Sequence, residues 1–360
     1  MYYKNSKFDK NRILDNFINI NWSIISVLLF LFIIGCFVIY SASGGSFYPL
    51  VEKHIYKFIF SFITLFFICC INYEFFKSCS YYFYLLSIFL LVFLFFFGTE
   101  NAGSQRWINL GFFSLQPSEF AKITLILAIS KYYSDVTHLG DNSLIKVIIP
   151  VLLIIIPFII IVTQPDLGTS ILLLANGVSL IIISGISLWF ILLGLFLFLI
   201  SIPVIWSILF DYQKQRILTF LNPEGDPLGS GYHIAQSKIA IGSGGFTGKG
   251  FMQGSQSQLE FIPEIHTDFV FSVFSEEFGY LGALVIVVLY LYLFIYGLMS
   301  CYKALHIYDK LVIFGLTVNI FLYFLINISM VIGIVPVVGV PLPIISYGGS
   351  SMLAVLISFC

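Results

Sequence analysis

The stretch Ser187–Phe210, SLWFILLGLFLFLISIPVIWSILF, holds no charged residue and decides what kind of molecule this is. A bilayer's hydrocarbon core takes about 20 apolar residues of helix to cross. Helices satisfy their own backbone polar groups, so they are the natural spanning element for such a run. Working outward, segments of the same kind recur near 22–40, 55–71, 81–97, 117–133, 144–162, 169–184, 268–300, 310–335 and from 343 to the end. The pattern predicts an all-α, polytopic integral membrane protein. It has about ten transmembrane helices, with a long loop, 211–267, between the seventh and the eighth.

Composition points the same way. Of 360 residues, 59% are hydrophobic and 10% charged, against roughly 25% charged in a soluble domain. This excludes a disordered chain, a nucleic-acid binder with a basic face and an ordinary water-soluble enzyme. A net charge of −1 names no partner. The chain reads as one domain, 1–360, opening on a charged tail, 1–21, without a signal-peptide cleavage pattern. An N-terminus on the inside places Lys4, Lys7, Lys10, Arg12, Lys77, Lys131, Lys146, Lys303 and Lys310 there. Only Lys53, Lys57 and Arg106 then fall outside, apart from the long loop. That asymmetry predicts cytoplasmic termini and an extracytoplasmic 211–267 loop. No cysteine falls in an outer loop, so no disulfide is expected, and the spacings fit no metal site.

Polar residues inside such a chain are costly and are functional candidates. Gly103 to Ile108 is followed by Gln116 to Lys122, with Pro117 suited to a first helical turn. Glu119 and Lys122 are three apart and share a face. Arg106 serves either as an interface anchor or as a planar fork for a phosphate. In Gln164 to Gly168, Asp166 either caps the next helix or contributes to a site. The run Gly242 to Gly250 fails the Walker pattern, since Ser243 and Gly250 stand where Gly and Ser or Thr belong. It is either a flexible loop or a backbone that approaches a phosphate. Gly231 to Ile241 is expected to form an amphipathic helix on the membrane surface. In the eighth span Thr267 or Asp268 is positioned as a cap, and Ser272 and Ser275 share the Asp268 face. Glu276 and Glu277 require partners or water, so this span should be buried and border a polar cavity. The last span opens with Pro341 and Pro343 and continues through small residues, which permit close packing.

These strings, with Pro263 to Phe269, Glu276 to Gly279 and Pro341 to Ser351, resemble the SEDS (shape, elongation, division and sporulation) family of bacterial wall synthesis over most of the chain. The runs Arg216 to Pro223, Gln236 to Gly245 and Gly254 to Phe261 are closest to its elongation-type members. Ile265 departs from the pattern, at a position often Arg. The resemblance implies a peptidoglycan glycosyltransferase. It transfers the growing lipid-linked glycan onto the GlcNAc 4-hydroxyl of lipid II, with release of undecaprenyl pyrophosphate, during cell elongation and rod-shape maintenance. It also implies a class B penicillin-binding protein as partner, a bacterial inner-membrane location and Asp268 as the catalytic base. Substrate-binding candidates are Arg106, Glu119, Lys122, Asp166, Arg216, Lys238 and Glu276. A divalent cation, Mg or Mn, is a candidate cofactor beside the basic residues. Two other readings stay open here: a lipid II flippase, and a non-catalytic scaffold for the transpeptidase.

Overall fold

A computed structural model describes residues 21–101, 104–109, 114–136, 144–222, 229–259 and 264–360. In chain order the helices are α1 (Trp22–Ala42), α2 (Leu50–Cys69), α3 (Tyr73–Phe97), α4 (Pro117–Asp135), α5 (Ile145–Thr163), α6 (Leu167–Ile183) and α7 (Leu188–Ile208). Then come α8 (Asp211–Leu221), α9 (Ser230–Ser243), α10 (Ser255–Gln258), α11 (Val270–Lys303), α12 (Ile307–Val331) and α13 (Gly349–Ile357). Six of them, α1, α3, α5, α7, α11 and α12, are long and apolar enough to cross a membrane. The charged tail lies almost wholly outside the described residues, as do Glu224 to Pro227 and Pro263.

The expected all-α architecture has one exception. β1 (Thr99–Asn101), β2 (Ser104–Asn109) and β3 (Ser114–Leu115) form an antiparallel sheet, with Thr99 opposite Trp107 and Ile108 opposite Leu115.

The helices pack into two cores that share α12. In one, Leu28 and Val38 of α1, Phe58 of α2, Phe271 and Ile286 of α11, Tyr323 of α12 and Leu356 of α13 are buried together. In the other, Leu91 of α3, Leu125 of α4, Ile154 of α5, Leu173 and Leu180 of α6 and Leu311 of α12 are buried. Gly177 lets α6 approach α5 closely: a Cβ there would lie 2.5 Å from the Ile154 side chain. By contrast, among the described residues of α7 none is buried.

The eighth span is not one continuous rod. Gly279 has φ 64° and ψ −161°, so α11 is a short segment to Phe278 followed by a long one from Tyr280. The glycine run 242–250 fits into that break. Lys249 and Gly250 N–H donate to the Glu276 and Glu277 carbonyls at 3.0 Å each. Tyr280 N–H donates to the Gly245 carbonyl at 2.9 Å and Leu281 N–H to Phe246 at 3.2 Å. The run is therefore neither a flexible loop nor a phosphate cradle: its backbone groups satisfy the broken helix. α9 packs one face on protein, with Ser237 Oγ 2.8 Å from Ser272 Oγ and donating to Val331 O at 2.7 Å, and leaves Ala235, Lys238 and Ile239 exposed.

Candidate active site

Asp268 lies at the end of a turn that begins at Glu264 and leads into α11. The helix starts at an N-cap of Phe269 with no side-chain cap bond, so neither Thr267 nor Asp268 caps it. Three consecutive carbonyls are held from the C-terminal part of the chain. Tyr347 N–H donates to His266 O at 2.8 Å and Ser346 Oγ to Thr267 O at 2.6 Å. Asn327 Nδ2 donates to Asp268 O at 2.9 Å and also to Val340 O at 2.7 Å. The backbone is thus fixed while the carboxylate accepts no hydrogen bond among the described residues. Oδ2 sits over Gly339, where a Cβ would be 3.4 Å away.

The electrostatics follow from this placement. The residue is only half-buried, but protein crowds its carboxyl. Burial chiefly, then the charge of Glu264, pushes its pKa up from 3.8 to about 7, against the pull of Arg216 and Arg106. The two arginines come from different elements. Arg216 lies on α8, with its guanidinium 5.9 Å from the Tyr212 ring. Burial and the like charge of Arg106 both lower its pKa. Arg106, on β2, donates to Pro165 O and lies 3.7 Å from Asp166 Oδ1. Asp166 also accepts from Thr169 N–H at 3.3 Å, capping α6, and from Gln116 Nε2 at 3.0 Å. Its capping and site-building roles therefore coexist.

The remaining candidates lie elsewhere. Glu119 and Lys122 pair at 2.9 Å, both buried in α4, and close a network with the Tyr323 hydroxyl of α12. Lys238 is exposed on α9, with its amine against Gly333. Glu276 is fully buried. It accepts from Lys249 Nζ at 2.6 Å, Gln256 N–H at 3.0 Å and Ser257 N–H at 3.3 Å. Its neighbour Glu277 accepts from Ser41 Oγ and from Met252 N–H at 3.2 Å. The Glu276 carboxylate and Glu277 Oε1 are met by protein donors, while the buried Glu277 Oε2 has none. None of these residues is among the charges that act on Asp268. Of the fixing residues, Ser346 and Tyr347 fall in the Pro341 to Ser351 string, read from sequence as close packing, and Asn327 was not singled out. Asn327 carries a signal, being an amide within an otherwise apolar span.

Among the described residues no three His, Cys, Asp or Glu gather where they could hold a metal ion. Asp268 faces two guanidinium groups, and Asp166 is already paired.

Comparisons with known proteins agree along the chain. It is 41% identical over 343 residues to the peptidoglycan glycosyltransferase MrdB of Escherichia coli K12, covering 95% of this chain and 92% of that one. It is 34% identical to stage V sporulation protein E of Bacillus subtilis, with 93% of each covered. Among solved structures, a chain of a peptidoglycan synthase complex that coordinates polymerization and crosslinking superposes with TM-score 0.80 at 26% identity, covering 94% and 95%. The rod shape determining protein RodA of Thermus thermophilus shares the fold, with TM-score 0.71 at 23% identity and 95% of each chain covered. The FtsW/RodA/SpoVE profile, described as cell cycle protein, matches residues 21–360, and the chain belongs to that family, the SEDS proteins.

Proposed function

We propose that this chain is a peptidoglycan glycosyltransferase that polymerises lipid II, with Asp268 as general base. The observation that carries the assignment is the Asp268 carboxylate. Its backbone is fixed at three carbonyls, its oxygens accept no bond among the described residues, and it faces Arg106 and Arg216. In the reaction, the GlcNAc O4 of the acceptor attacks the anomeric carbon of the donor. The O4–C1 bond forms as the bond from C1 to the pyrophosphate oxygen breaks, and the electron pair leaves with undecaprenyl pyrophosphate. The hydroxyl proton passes to the Asp268 carboxylate. One displacement turns an α-linked donor into a β-linked product, so no covalent intermediate is needed; the inverting logic is that of glycosidases. Arg106 and Arg216 neutralise the departing pyrophosphate, and Asp166 with Gln116 orients Arg106.

In this reading all ten hydrophobic segments cross the bacterial inner membrane, with the termini cytoplasmic. The lysine and arginine asymmetry supports that orientation. The six long apolar helices do so unaided. α2, α4 and α6 are shorter or carry charges, and α13 completes its depth with the extended stretch before it. The 211–267 region is then periplasmic, where lipid-tethered sugars project. A class B penicillin-binding protein is the partner that cross-links the product, a pairing supported by the synthase complex among the structural relatives. Glu119, Lys122, Lys238 and Glu276, taken from sequence as substrate contacts, act at a distance as braces of the bundle.

The test uses the protein with its transpeptidase partner in detergent, labelled lipid II, and crosslinking blocked. Wild type gives glycan strands; Asp268→Ala, still bound to its partner, gives none. Strands from that variant would end the assignment. Lipid II crossing sealed vesicles without polymer would instead mean transport.

A further inference from the structure

We infer that Lys53 and Lys57 of α2 form a second pyrophosphate site, separate from Arg106 and Arg216, which holds the acceptor lipid II. The inference rests on the polymerase reading above.

Lys53 and Lys57 lie one helical turn apart, on the same face of α2. Lys53 is exposed and Lys57 half-buried. Among the described residues neither makes an ion pair. The nearby carboxylate of Glu52 accepts from Tyr56 at 3.2 Å and, adjacent in sequence to Lys53, points to a different face. The Lys57 amine rests 3.6 Å from the centre of the Tyr347 ring. That contact attracts the cation without cancelling its charge. Beside it, His54 is fully buried, with both ring nitrogens lacking a hydrogen-bond partner. Its ring stacks near Phe32 at 5.4 Å and Tyr347 at 6.3 Å. An exposed ammonium one turn before a half-buried one, with no carboxylate paired to either among the described residues, leaves a cationic edge on α2 that an anion would neutralise. A phosphate-bearing lipid headgroup has the charge and the depth to do so.

The position separates two substrates. Tyr347, under Lys57, is bonded through its N–H to the His266 carbonyl, two residues before Asp268. Lys57 therefore borders the same turn, yet neither lysine is among the charges that act on Asp268, whereas both arginines are. Polymerisation requires exactly this kind of spacing. The donor's reacting carbon is bonded directly to its pyrophosphate, which must lie beside the base. The acceptor's reacting hydroxyl is separated from its own pyrophosphate by a disaccharide, so that group must lie farther off. The arginines suit the donor and the lysines the acceptor.

The experiment counts radiolabelled lipid II bound per protein in phosphatidylcholine nanodiscs, in an Asp268→Asn background that prevents turnover. The expected result is two molecules bound, falling to one with K53Q/K57Q and returning to two with K53R/K57R. Two molecules held with unchanged affinity by the glutamine variant would overturn the proposal. So would displacement of the second by an equal fraction of phosphatidylglycerol, which would mark a generic lipid contact. In the active enzyme, K53Q/K57Q should raise the KM for lipid II about tenfold and leave the pH midpoint of the rate unmoved; an unchanged KM would also overturn it. If Asp268→Asn still made polymer, the base assignment would fall while this kinetic comparison still decided the lysine site.

Discussion

At Asp268, the side chain proposed as general base is buried at the expense of stability. With its pKa raised from 3.8 to about 7, the folded protein binds more protons than the unfolded chain between those values. Stability therefore falls as pH rises through that window, by at most about 4 kcal/mol from this group. Asp268→Asn removes the titration, so its melting temperature relative to wild type should rise between pH 5 and pH 8. An advantage that is constant with pH would contradict the burial of the carboxyl. The rate needs the ionised form, so kcat/KM should climb with pH to a midpoint near 7. Arg216 pulls this pKa down, and Arg216→Gln should move the midpoint upward as well as slow the reaction. The Glu119–Lys122 pair makes a different case. Lys122→Met leaves a buried carboxylate without its ammonium and should cost about 3–5 kcal/mol in thermal unfolding. Most of that should return in E119Q/K122M, which strands no charge.

Among the elements, the broken α11 depends on glycines on both sides of the break. Gly248 has φ +85°, and a Cβ there would lie 2.0 Å from the Glu277 carbonyl oxygen. Gly248→Ala should cost about 1–3 kcal/mol from backbone strain, with the overlap added, and lower the yield of folded protein. Gly194 of α7 has nothing within 4 Å of a Cβ, and Gly194→Ala should leave the melting temperature within error. If both substitutions behaved alike, the loop would not be clamped to the helix. Sequence could not distinguish these glycines. One inside an apolar run reads as a packing position, and the N–H donors of 249 and 250 look available until the kinked helix claims them.

For the whole molecule, the helices were legible because lipid imposes a length and a polarity on every crossing segment. The α4 pair, the Pro117 start and the Asp166 cap were legible because they are local. The assembly of the site was not. Asp268, Arg106, Asp166 and Arg216 come from a turn, a strand, a helix cap and a peripheral helix, and no spacing along the chain relates them. Lys238 and Glu276 belong to the same sequence strings, yet fold against Gly333 and Lys249. Likewise, the two cores meet through α6 and α12, and it is Asn327 of α12 that ties the Asp268 turn to the C-terminal loop.

The solitude of α7 reaches the chemistry through its outer end. A rod that hides none of its residues contributes little to the cohesion of the bundle, and it continues through only Leu209 and Phe210 into the helix that bears Arg216. That guanidinium sits on a short helix held to the protein through buried Gln213 and Thr219, whereas its counterpart Arg106 donates to Pro165 and lies beside Asp166. The two guanidinium groups thus reach the site from unlike supports, one continuing from a helix with no buried residue among those described and one tied to the cap of α6.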